Sequence, residues 1–157
     1  MPKPITPVAE RFWRFVDKTE TCWLWTGGKS AGYGRMRTVG RKMESAHRVS
    51  YAMHAGPIPV GLVIDHICRR TLCVNPQHLR AVTNKQNNEH LAQESSIGRS
   101  GVRGVFWHEK LQKWVAQVRH NGKTNIGGYF ATVEEAAASV VHLRNELYTH
   151  NDLDRTS

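Results

Sequence analysis

The sequence predicts an α+β protein made of two small domains. A polar run rich in glycine and serine, Glu94 to Gly101, separates two segments that each contain both strand and helix patterns. In both segments, short strands come before a helix that opens with a capping-box sequence. We expect a first domain at residues 1–95, a linker at 96–101, a second domain at 102–150 and a tail at 151–157.

Composition indicates a basic protein with a packed core. The 157 residues include 22 Lys and Arg against 13 Asp and Glu, a formal net charge of +9, and five tryptophans. The hydrophobic fraction of 39% is sufficient for a folded domain and argues against global disorder. Small basic proteins often bind polyanions, because neutralising phosphates releases counterions. Nucleic acid is therefore the expected partner.

Secreted and membrane classes are not expected. The start of the chain, Met1-Pro2-Lys3-Pro4, lacks the apolar region of a signal peptide, and three cysteines cannot form a closed set of disulfides. The most apolar stretch, residues 58–64, contains Pro59 and Gly61 and is too short to span a bilayer. We therefore expect an intracellular, cytoplasmic protein with no membrane partner.

The first segment is expected to fold into short helices and strands that alternate. Glycine-rich turns, the Gly56-Pro57 stop signal and the capping box Thr83-Asn84-Lys85-Gln86 set the boundaries. The predicted helices cover residues 8–16, 46–54 and 83–93. The predicted strands cover residues 22–26, 33–39, 62–64 and 79–82.

The second segment predicts three antiparallel strands backed by one helix. Residues 114–119 alternate between apolar and polar positions, which indicates a half-buried strand, and Asn121-Gly122 supplies a hairpin turn. A second capping box, Thr132 to Glu135, opens a helix that runs to about residue 148. We expect Trp114 and Phe130 in the core. The inner stripe of the helix is Ala136, Val140, Leu143 and Leu147.

Cysteine and histidine spacing indicates a structural metal site. Cys68 and Cys73 are close enough in sequence to bind one ion, and His78 follows at ligand spacing. Such groups favour tetrahedral Zn²⁺ in a reducing compartment. Cys22 is the best candidate for the fourth ligand, with His47 and His54 as weaker ones. The alternative is a set of buried free thiols beside an ordinary buried histidine.

Asp65-His66, at the end of a predicted strand, indicates a second kind of chemistry. A carboxylate suits a hard, oxygen-preferring cation, and a neutral imidazole can take a proton from water. Asn87, early in the following helix, offers an amide oxygen to the same cation. A strand–hairpin–strand–helix unit with these three groups is suited to hydrolysing a phosphodiester.

Residues 21–91 resemble the HNH endonuclease superfamily, which has the ββα-metal fold. The similarity is greatest to the phage and intron-encoded branch that carries zinc ligands, close to the His-Cys box homing endonucleases. The matching motifs are Cys22-Trp23-Leu24-Trp25, Gly32-Tyr33-Gly34-Arg35, Ala46-His47-Arg48 and Asp65-His66-x-Cys68…Cys73-x-Asn75-Pro76-x-His78-Leu79.

The resemblance implies a role for each of these positions. His66 would be the general base, and Asp65 and Asn87 would bind one catalytic Mg²⁺ or Mn²⁺. The structural zinc ligands would be Cys22, Cys68, Cys73 and His78. His78 stands where related enzymes without zinc have an asparagine that orients the base, so a backbone carbonyl would take over that task. Asn75 would fix the Asn-Pro turn. Arg48 would either bind a phosphate or have only a surface or helix-capping role.

Residues 103–147 resemble the Apetala/ethylene-response-factor DNA-binding domain. The matching motifs are Arg103-Gly104-Val105-x-Trp107, Lys113-Trp114-x-Ala116, Gly128-Tyr129-Phe130 and Glu134-Glu135-Ala136-Ala137. In that family the sheet lies in the DNA major groove. The resemblance implies DNA contacts by Arg103, Trp107, Gln117, Arg119 and Lys123. Gly127 replaces the leucine that is usual there, so the last strand is expected to be looser or bulged.

Charge supports this orientation independently of the resemblance. Residues 99–130 contain six basic side chains and one acidic one, whereas residues 131–157 contain two basic and five acidic ones. The strands are therefore positive and the helical layer is negative.

Together the two resemblances predict a zinc-stabilised ββα-metal nuclease domain followed by a DNA-binding domain. The expected activity is that of a site-directed double-stranded DNA endonuclease of the homing type, encoded by a phage or mobile element. The alternatives are a DNA-binding regulator with an inert nuclease motif, and a restriction or packaging nuclease of the same chemistry. A monomer would nick one strand, whereas a homodimer would cut both; the sequence leaves this open.

Overall fold

A computed structural model describes residues 6–90 and 98–155 of the chain. The protein is mixed α/β with small antiparallel sheets, as predicted. It divides into two compact units, Met1–Asn84 and Lys85–Ser157. The division lies before the predicted linker at 96–101. The reason is that Glu89, on the helix that begins at Asn84, is hydrogen-bonded by the backbone N–H groups of Thr149 and His150. Residues 96 and 97 of that linker lie outside the described residues.

In its described part, residues 6–84, the first unit contains two α-helices and seven strands, and its last strand leads into a third α-helix at the unit boundary. The helices are α1 (Val8–Trp13), α2 (Ala46–Ala55) and α3 (Asn84–His90). The strands are β1 (Val16–Lys18), β2 (Trp23–Trp25), β3 (Lys29–Ser30), β4 (Tyr33–Arg37), β5 (Met43–Ser45), β6 (Val63–His66) and β7 (Leu79–Val82).

These strands form three antiparallel sheets around one apolar core. β1 pairs with β2, β4 lies between β3 and β5, and β6 pairs with β7. The core consists of Phe12, Trp25, Met36, Ala46, Val49 and Val74. Most predicted elements are found, but α1 is shorter than expected and is followed by strand β1, which the sequence did not indicate.

The β6–β7 hairpin is the element that carries the candidate catalytic pair. Its register places Asp65 opposite Arg80 and His66 opposite Leu79. β6 continues two residues beyond the predicted strand, so that Asp65 and His66 belong to the strand itself. Both side chains are buried.

The second unit has the architecture that the sequence predicts. Strands β8 (Val105–His108), β9 (Lys113–His120) and β10 (Lys123–Phe130) form one antiparallel sheet with β9 in the centre. Helix α4 (Val133–Leu147) packs against it and begins with the predicted Thr132–Glu135 capping box. The core contains Val105, Ala116, Val118, Ala136, Val140 and Tyr148, with Trp114 and Phe130 packed against it as expected.

The expected irregularity at Gly127 is present as a register shift in β10. The shift lies between Ile126 and Gly128, and the Ser139 hydroxyl of α4 donates to the Gly127 carbonyl at 3.1 Å. A Cβ atom at Gly127 would lie 2.6 Å from the Ser139 Oγ. Glycine therefore allows the helix to approach the bulged strand.

Gly104→Ala should strongly destabilise the second unit. Gly104 has a φ of +84°, and an added Cβ would lie 2.8 Å from both the Gln117 carbonyl oxygen and Val140 Cγ2. The left-handed backbone costs about 1–2 kcal/mol and the overpacking about 1–3 kcal/mol more. We expect denaturant unfolding to show a loss of about 2–5 kcal/mol in the free energy of unfolding.

Gly122→Ala is the matched control for this prediction. Gly122 has a φ of +76° but no atom within 4 Å of the added Cβ, so only the backbone cost applies, about 1–2 kcal/mol. Equal losses in the two variants would contradict the packing argument.

Residues 152–155, expected to belong to a tail, form the short helix α5 (Asp152–Arg155). Its Asp154 carboxylate binds Arg144 of α4, which is only 6% exposed. Arg144 also donates to the Arg103 carbonyl at 2.7 Å, and Asn151 donates to Asp154 at 2.7 Å. The buried cation on α4 is thus neutralised from the end of the described chain.

The stability contributed by Asp154 should depend on pH. Burial raises the pKa of Asp154, but hydrogen bonds from Arg144 and Asn151 outweigh this effect, so the pKa lies below its ordinary value. A carboxylate with a lower pKa in the folded state stabilises that state above its unfolded pKa and loses the effect as the pH falls through its folded pKa. Asp154→Asn should therefore lower the melting temperature at pH 7, and the difference from wild type should shrink in acid. A difference independent of pH would contradict the ionic role.

Candidate active site and metal centre

Four side chains from separate parts of the first unit converge to form a candidate metal centre. Cys22 comes just before β2, Cys68 and Cys73 lie in the loop between β6 and β7, and His78 comes just before β7. One ligand atom from each lies within 4.8 Å of the ligand atoms of the other three. These are the four predicted zinc positions, and His47 and His54 are not part of the group.

The spacing of these atoms fits a tetrahedral zinc ion. The His78 Nδ1 atom lies 3.7 Å from Cys22 Sγ and 3.6 Å from Cys73 Sγ. A tetrahedron with Zn–S of about 2.3 Å and Zn–N of about 2.0 Å has S–N edges of about 3.5 Å. A hydrogen bond from Cys68 lowers the pKa of Cys73 to about 4, whereas the pKa of Cys68 is raised. The cluster thus already favours one thiolate, and three sulfurs with one imidazole suit Zn²⁺.

The Asn-Pro turn holds the histidine ligand in place. The Asn75 side chain accepts a hydrogen bond from the Gln77 N–H at 3.1 Å and donates to the Thr21 carbonyl at 3.0 Å. It thereby caps the single helical turn Pro76–His78. The prediction that Asn75 fixes this turn is confirmed.

His66 is held by a backbone carbonyl in the loop that carries the metal ligands. Its Nε2 lies 3.1 Å from the Cys73 carbonyl oxygen, which can only accept, so Nε2 carries the hydrogen. The neutral ring therefore presents an unprotonated Nδ1. Burial lowers the pKa of His66 despite the opposing effect of that carbonyl. The expected orientation of this imidazole by a carbonyl is confirmed.

Asp65 is buried and paired across the hairpin. The Arg80 Nε donates to its Oδ2 at 2.9 Å, as their register in β6 and β7 allows. The pairing was not predicted, because Arg80 is fifteen residues away in sequence and only the strand register brings it opposite. The Asp65 carboxylate and the Asn87 amide are hard oxygen donors, which Mg²⁺ prefers.

The structure assigns these two predicted cation ligands to different units. Asp65 and His66 belong to the first unit, together with all four Cys and His ligands. Asn87 is half-buried on α3, and it falls in the second unit because that unit begins at Lys85.

His47 is a residue of this region whose place the sequence did not indicate. Its ring lies 4.7 Å from that of His66, between centroids, and 5.5 Å from that of Tyr33. The His47 Nδ1 is buried and finds no hydrogen-bond partner among the described residues. Burial, followed by repulsion from His66, lowers its pKa to about 3. In the sequence, His47 stood out only as a weaker zinc candidate and as part of Ala46-His47-Arg48 at a helix start. Arg48 itself is exposed on α2.

The predicted DNA contacts in the second unit do not all share one face. Gln117 and Arg119 lie on the side of β9 away from α4 and line a cleft of about 680 Å³, as does Arg103. Trp107 pairs with Trp114 at 5.1 Å between ring centroids, on the helix side of the sheet. Strand alternation therefore puts Phe106, 38% exposed, on the open face instead of Trp107. Lys123 is exposed at the start of β10.

Residues 44–89 match the HNH endonuclease family, so the chain contains an HNH endonuclease domain in this region. This region contains the β6–β7 hairpin, α3 up to Glu89, and three of the four Cys/His ligands.

Two phage proteins are similar to the chain. Protein 7.7 of Escherichia phage T7 is 44% identical over 73 residues, which cover 46% of this chain and 55% of that protein. The uncharacterized gene 5.3 protein of Enterobacteria phage T3 is 37% identical over 54 residues, covering 34% of this chain and 54% of that protein. The chain thus spans about half the length of the curated relatives it matches. No solved structure shows significant similarity.

None of the helices within residues 6–90 and 98–155 combines the length and the hydrophobicity that crossing a bilayer requires.

Proposed function

We propose that the protein is a metal-dependent DNA endonuclease of the homing type. The observation that carries this proposal is the carbonyl-anchored His66 beside Asp65 at the end of a hairpin, inside an HNH endonuclease domain. Double-stranded DNA is the substrate, in keeping with the net charge of +9.

In this mechanism, His66 Nδ1 takes a proton from the attacking water while Nε2 stays on the Cys73 carbonyl. The imidazolium that forms carries hydrogens on both nitrogens. The Cys73 carbonyl stabilises it, because the hydrogen bond that Nε2 donates is stronger when the ring is charged. Asp65 and Asn87 would hold one Mg²⁺ or Mn²⁺. Such an ion, when bound, supplies positive charge for the developing oxyanion and the leaving oxygen.

The zinc ligands would act on catalysis through the same loop. Cys73 supplies a sulfur to the Cys/His cluster and the carbonyl that orients His66. Zinc bound by Cys22, Cys68, Cys73 and His78 would therefore hold the base in position as well as stabilise the fold.

The second unit would bind and position the DNA. We assign phosphate or base contacts to Arg103, Gln117, Arg119 and Lys123, with Arg48 as a phosphate contact in the first unit. Trp107 belongs to the predicted set, but Phe106 is better placed on the open sheet face for stacking.

The test is a supercoiled-plasmid assay with zinc-loaded protein, with Mg²⁺ and with chelator, alongside an electrophoretic shift of duplex DNA. Conversion to open circle with Mg²⁺ would support a nickase, and direct conversion to linear DNA would indicate paired active sites in a homodimer. Shifted DNA with no conversion in Mg²⁺ or Mn²⁺ would reject the nuclease proposal and favour a DNA-binding regulator. Cleavage without any preferred position would contradict the homing assignment.

A further inference from the structure

The face of the second unit's sheet that points away from α4 is apolar at its centre. Val115 of β9 lies opposite Phe106 of β8 and Tyr129 of β10, and Ile126 of β10 lies opposite Gln117 of β9. Cross-strand partners share a face of the sheet, so these side chains are neighbours. Phe106, Tyr129 and Ile126 are 38%, 41% and 54% exposed. We call Phe106, Val115, Ile126 and Tyr129 the apolar strip.

Aromatic rings shield the centre of the strip. The rings of His108 on β8 and Tyr129 on β10 lie 5.7 Å apart, between centroids, although β9 runs between their strands. Val115 of β9 is therefore buried even though it points away from α4. The strip is thus a continuous apolar surface that spans all three strands.

Exposed cationic side chains lie at both ends of this face. Lys113 and Arg119 are at even separations from Val115 on β9, so they point to the same side of the sheet. A face that is apolar in the middle and positive at its ends matches a groove of duplex DNA, where base edges lie between two rows of phosphates. A second copy of the same face would bring like charges together, which disfavours self-association.

The width of the sheet favours the major groove. Neighbouring strands lie about 4.8 Å apart, so β9 with one neighbour forms a ribbon of the kind that the major groove admits, at about 12 Å wide. The minor groove, at about 6 Å, is too narrow for such a ribbon. Within an intact duplex the base faces are covered by adjacent pairs, so the strip meets base edges.

An apolar surface distinguishes among those base edges. The thymine C5 methyl is an apolar group at the major-groove edge, whereas guanine, cytosine and adenine present hydrogen-bond donors and acceptors there. Pressing such polar groups against apolar side chains removes their water without replacing its hydrogen bonds, which is unfavourable. The strip therefore favours thymine at the positions that it covers.

Gln117 adds a polar group suited to the partner of thymine. It is half-buried and lies opposite Ile126 on the same face. A glutamine amide can form two hydrogen bonds with adenine N6 and N7 in the major groove. An amide and an apolar side chain next to each other thus suit the two bases of one A·T pair.

We propose that the apolar strip binds thymine methyl groups in the major groove and thereby gives the second unit a preference for A·T pairs. The inference rests on the proposed function and deepens it, because it names the base chemistry that directs the nuclease to its site. Each thymine methyl that the strip buries should raise DNA affinity about 4-fold.

The test measures the affinity of the full-length protein for three alternating duplexes, by competition in an electrophoretic shift without added Mg²⁺ and at one fixed salt concentration. Poly(dA-dU) differs from poly(dA-dT) only by lacking the methyl. Poly(dI-dC) combines the minor-groove edge of A·T with the major-groove edge of G·C. We expect poly(dA-dT) to bind at least about 4-fold more tightly than either of the others.

Variants of the strip provide the second arm of the test. Phe106→Ala and Ile126→Ala should each reduce the preference for poly(dA-dT) over poly(dA-dU). Phe106→Leu keeps an apolar side chain and should retain more of that preference than Phe106→Ala. Leu111→Ala is the matched control, because Leu111 is 51% exposed in the turn between β8 and β9, outside the strip. Its preference should equal that of wild type, and thermal unfolding checks that each variant folds.

Three results would overturn the inference. Equal affinity for poly(dA-dT) and poly(dA-dU) would show that the methyl is not bound, and DNA binding itself would stand. Binding of poly(dI-dC) as tight as that of poly(dA-dT) would place the contacts in the minor groove. A self-association that Phe106→Ala abolishes would make the strip an interface between copies. Failure to bind any of the duplexes would instead reject DNA binding by the protein, and with it the proposed function.

Discussion

Replacing His66 with alanine should abolish plasmid cleavage and leave DNA binding intact. General-base catalysis by a positioned side chain contributes about 10²–10⁴-fold to a rate, so the remaining activity should fall to that extent or below detection. Binding should persist because the cationic groups of the second unit are unaffected. The measurements are the initial rate of supercoiled-plasmid loss in Mg²⁺ and the shift of duplex DNA.

His142→Ala is the matched control, because His142 is a histidine on the exposed surface of α4 with a side chain that is 77% exposed. It should cleave at the wild-type rate. His66→Gln adds a check on folding, because its amide can still donate to the Cys73 carbonyl that anchors His66 Nε2. If both His66 variants fold and cleave near the wild-type rate, His66 is not the base.

Cys68→Ser should remove zinc and unfold the first unit. Structural zinc contributes an apparent 10–16 kcal/mol, on the order of the whole stability of a domain, about 5–15 kcal/mol. The four ligands join the segment before β2 to both ends of the β6–β7 loop, so losing the ion releases contacts that are distant in sequence. Metal analysis of purified protein and thermal unfolding give the two readouts.

His54→Ala provides the comparison for the zinc prediction. His54 was a weaker candidate ligand, but it lies outside the cluster and donates from Nδ1 to the Ser50 carbonyl at 2.9 Å. This variant should keep its zinc. Wild-type protein that binds no zinc, together with an unchanged melting temperature in Cys68→Ser, would show that the cluster is a set of thiols rather than a metal centre. Cleavage should also fall when zinc is removed, because Cys73 orients His66.

The features that were predicted correctly are those indicated by patterns of residues close together in the sequence. Alternation at residues 114–119 gave the central strand β9, and the Thr132–Glu135 capping box gave the start of α4. Asp65 and His66 stood out because they end an apolar strand, and the cysteine spacing indicated the metal ligands before any contact was known.

Long-range contacts had no such signal. Arg80 meets Asp65 only through strand register, and Trp107 lies on the helix side of the sheet because of the pleat of β8. The buried Arg144 depends on Asp154, ten residues later, and His47 reaches His66 only when α2 packs on the hairpin. Arg80, Arg144 and Asp154 look like ordinary polar residues in the sequence.

The sequence by itself indicated the chemistry of this protein: a carboxylate and an imidazole at a strand end, two cysteines and a histidine at ligand spacing, and a basic segment patterned as a sheet. The tertiary structure decided which carbonyl orients His66, and that the Glu89 carboxylate accepts a hydrogen bond from the Thr149 N–H. The physical reason is that the Cys68–His78 ligand spacing and the capping boxes are local in sequence. A buried charge, in contrast, is satisfied only by groups that folding brings to it.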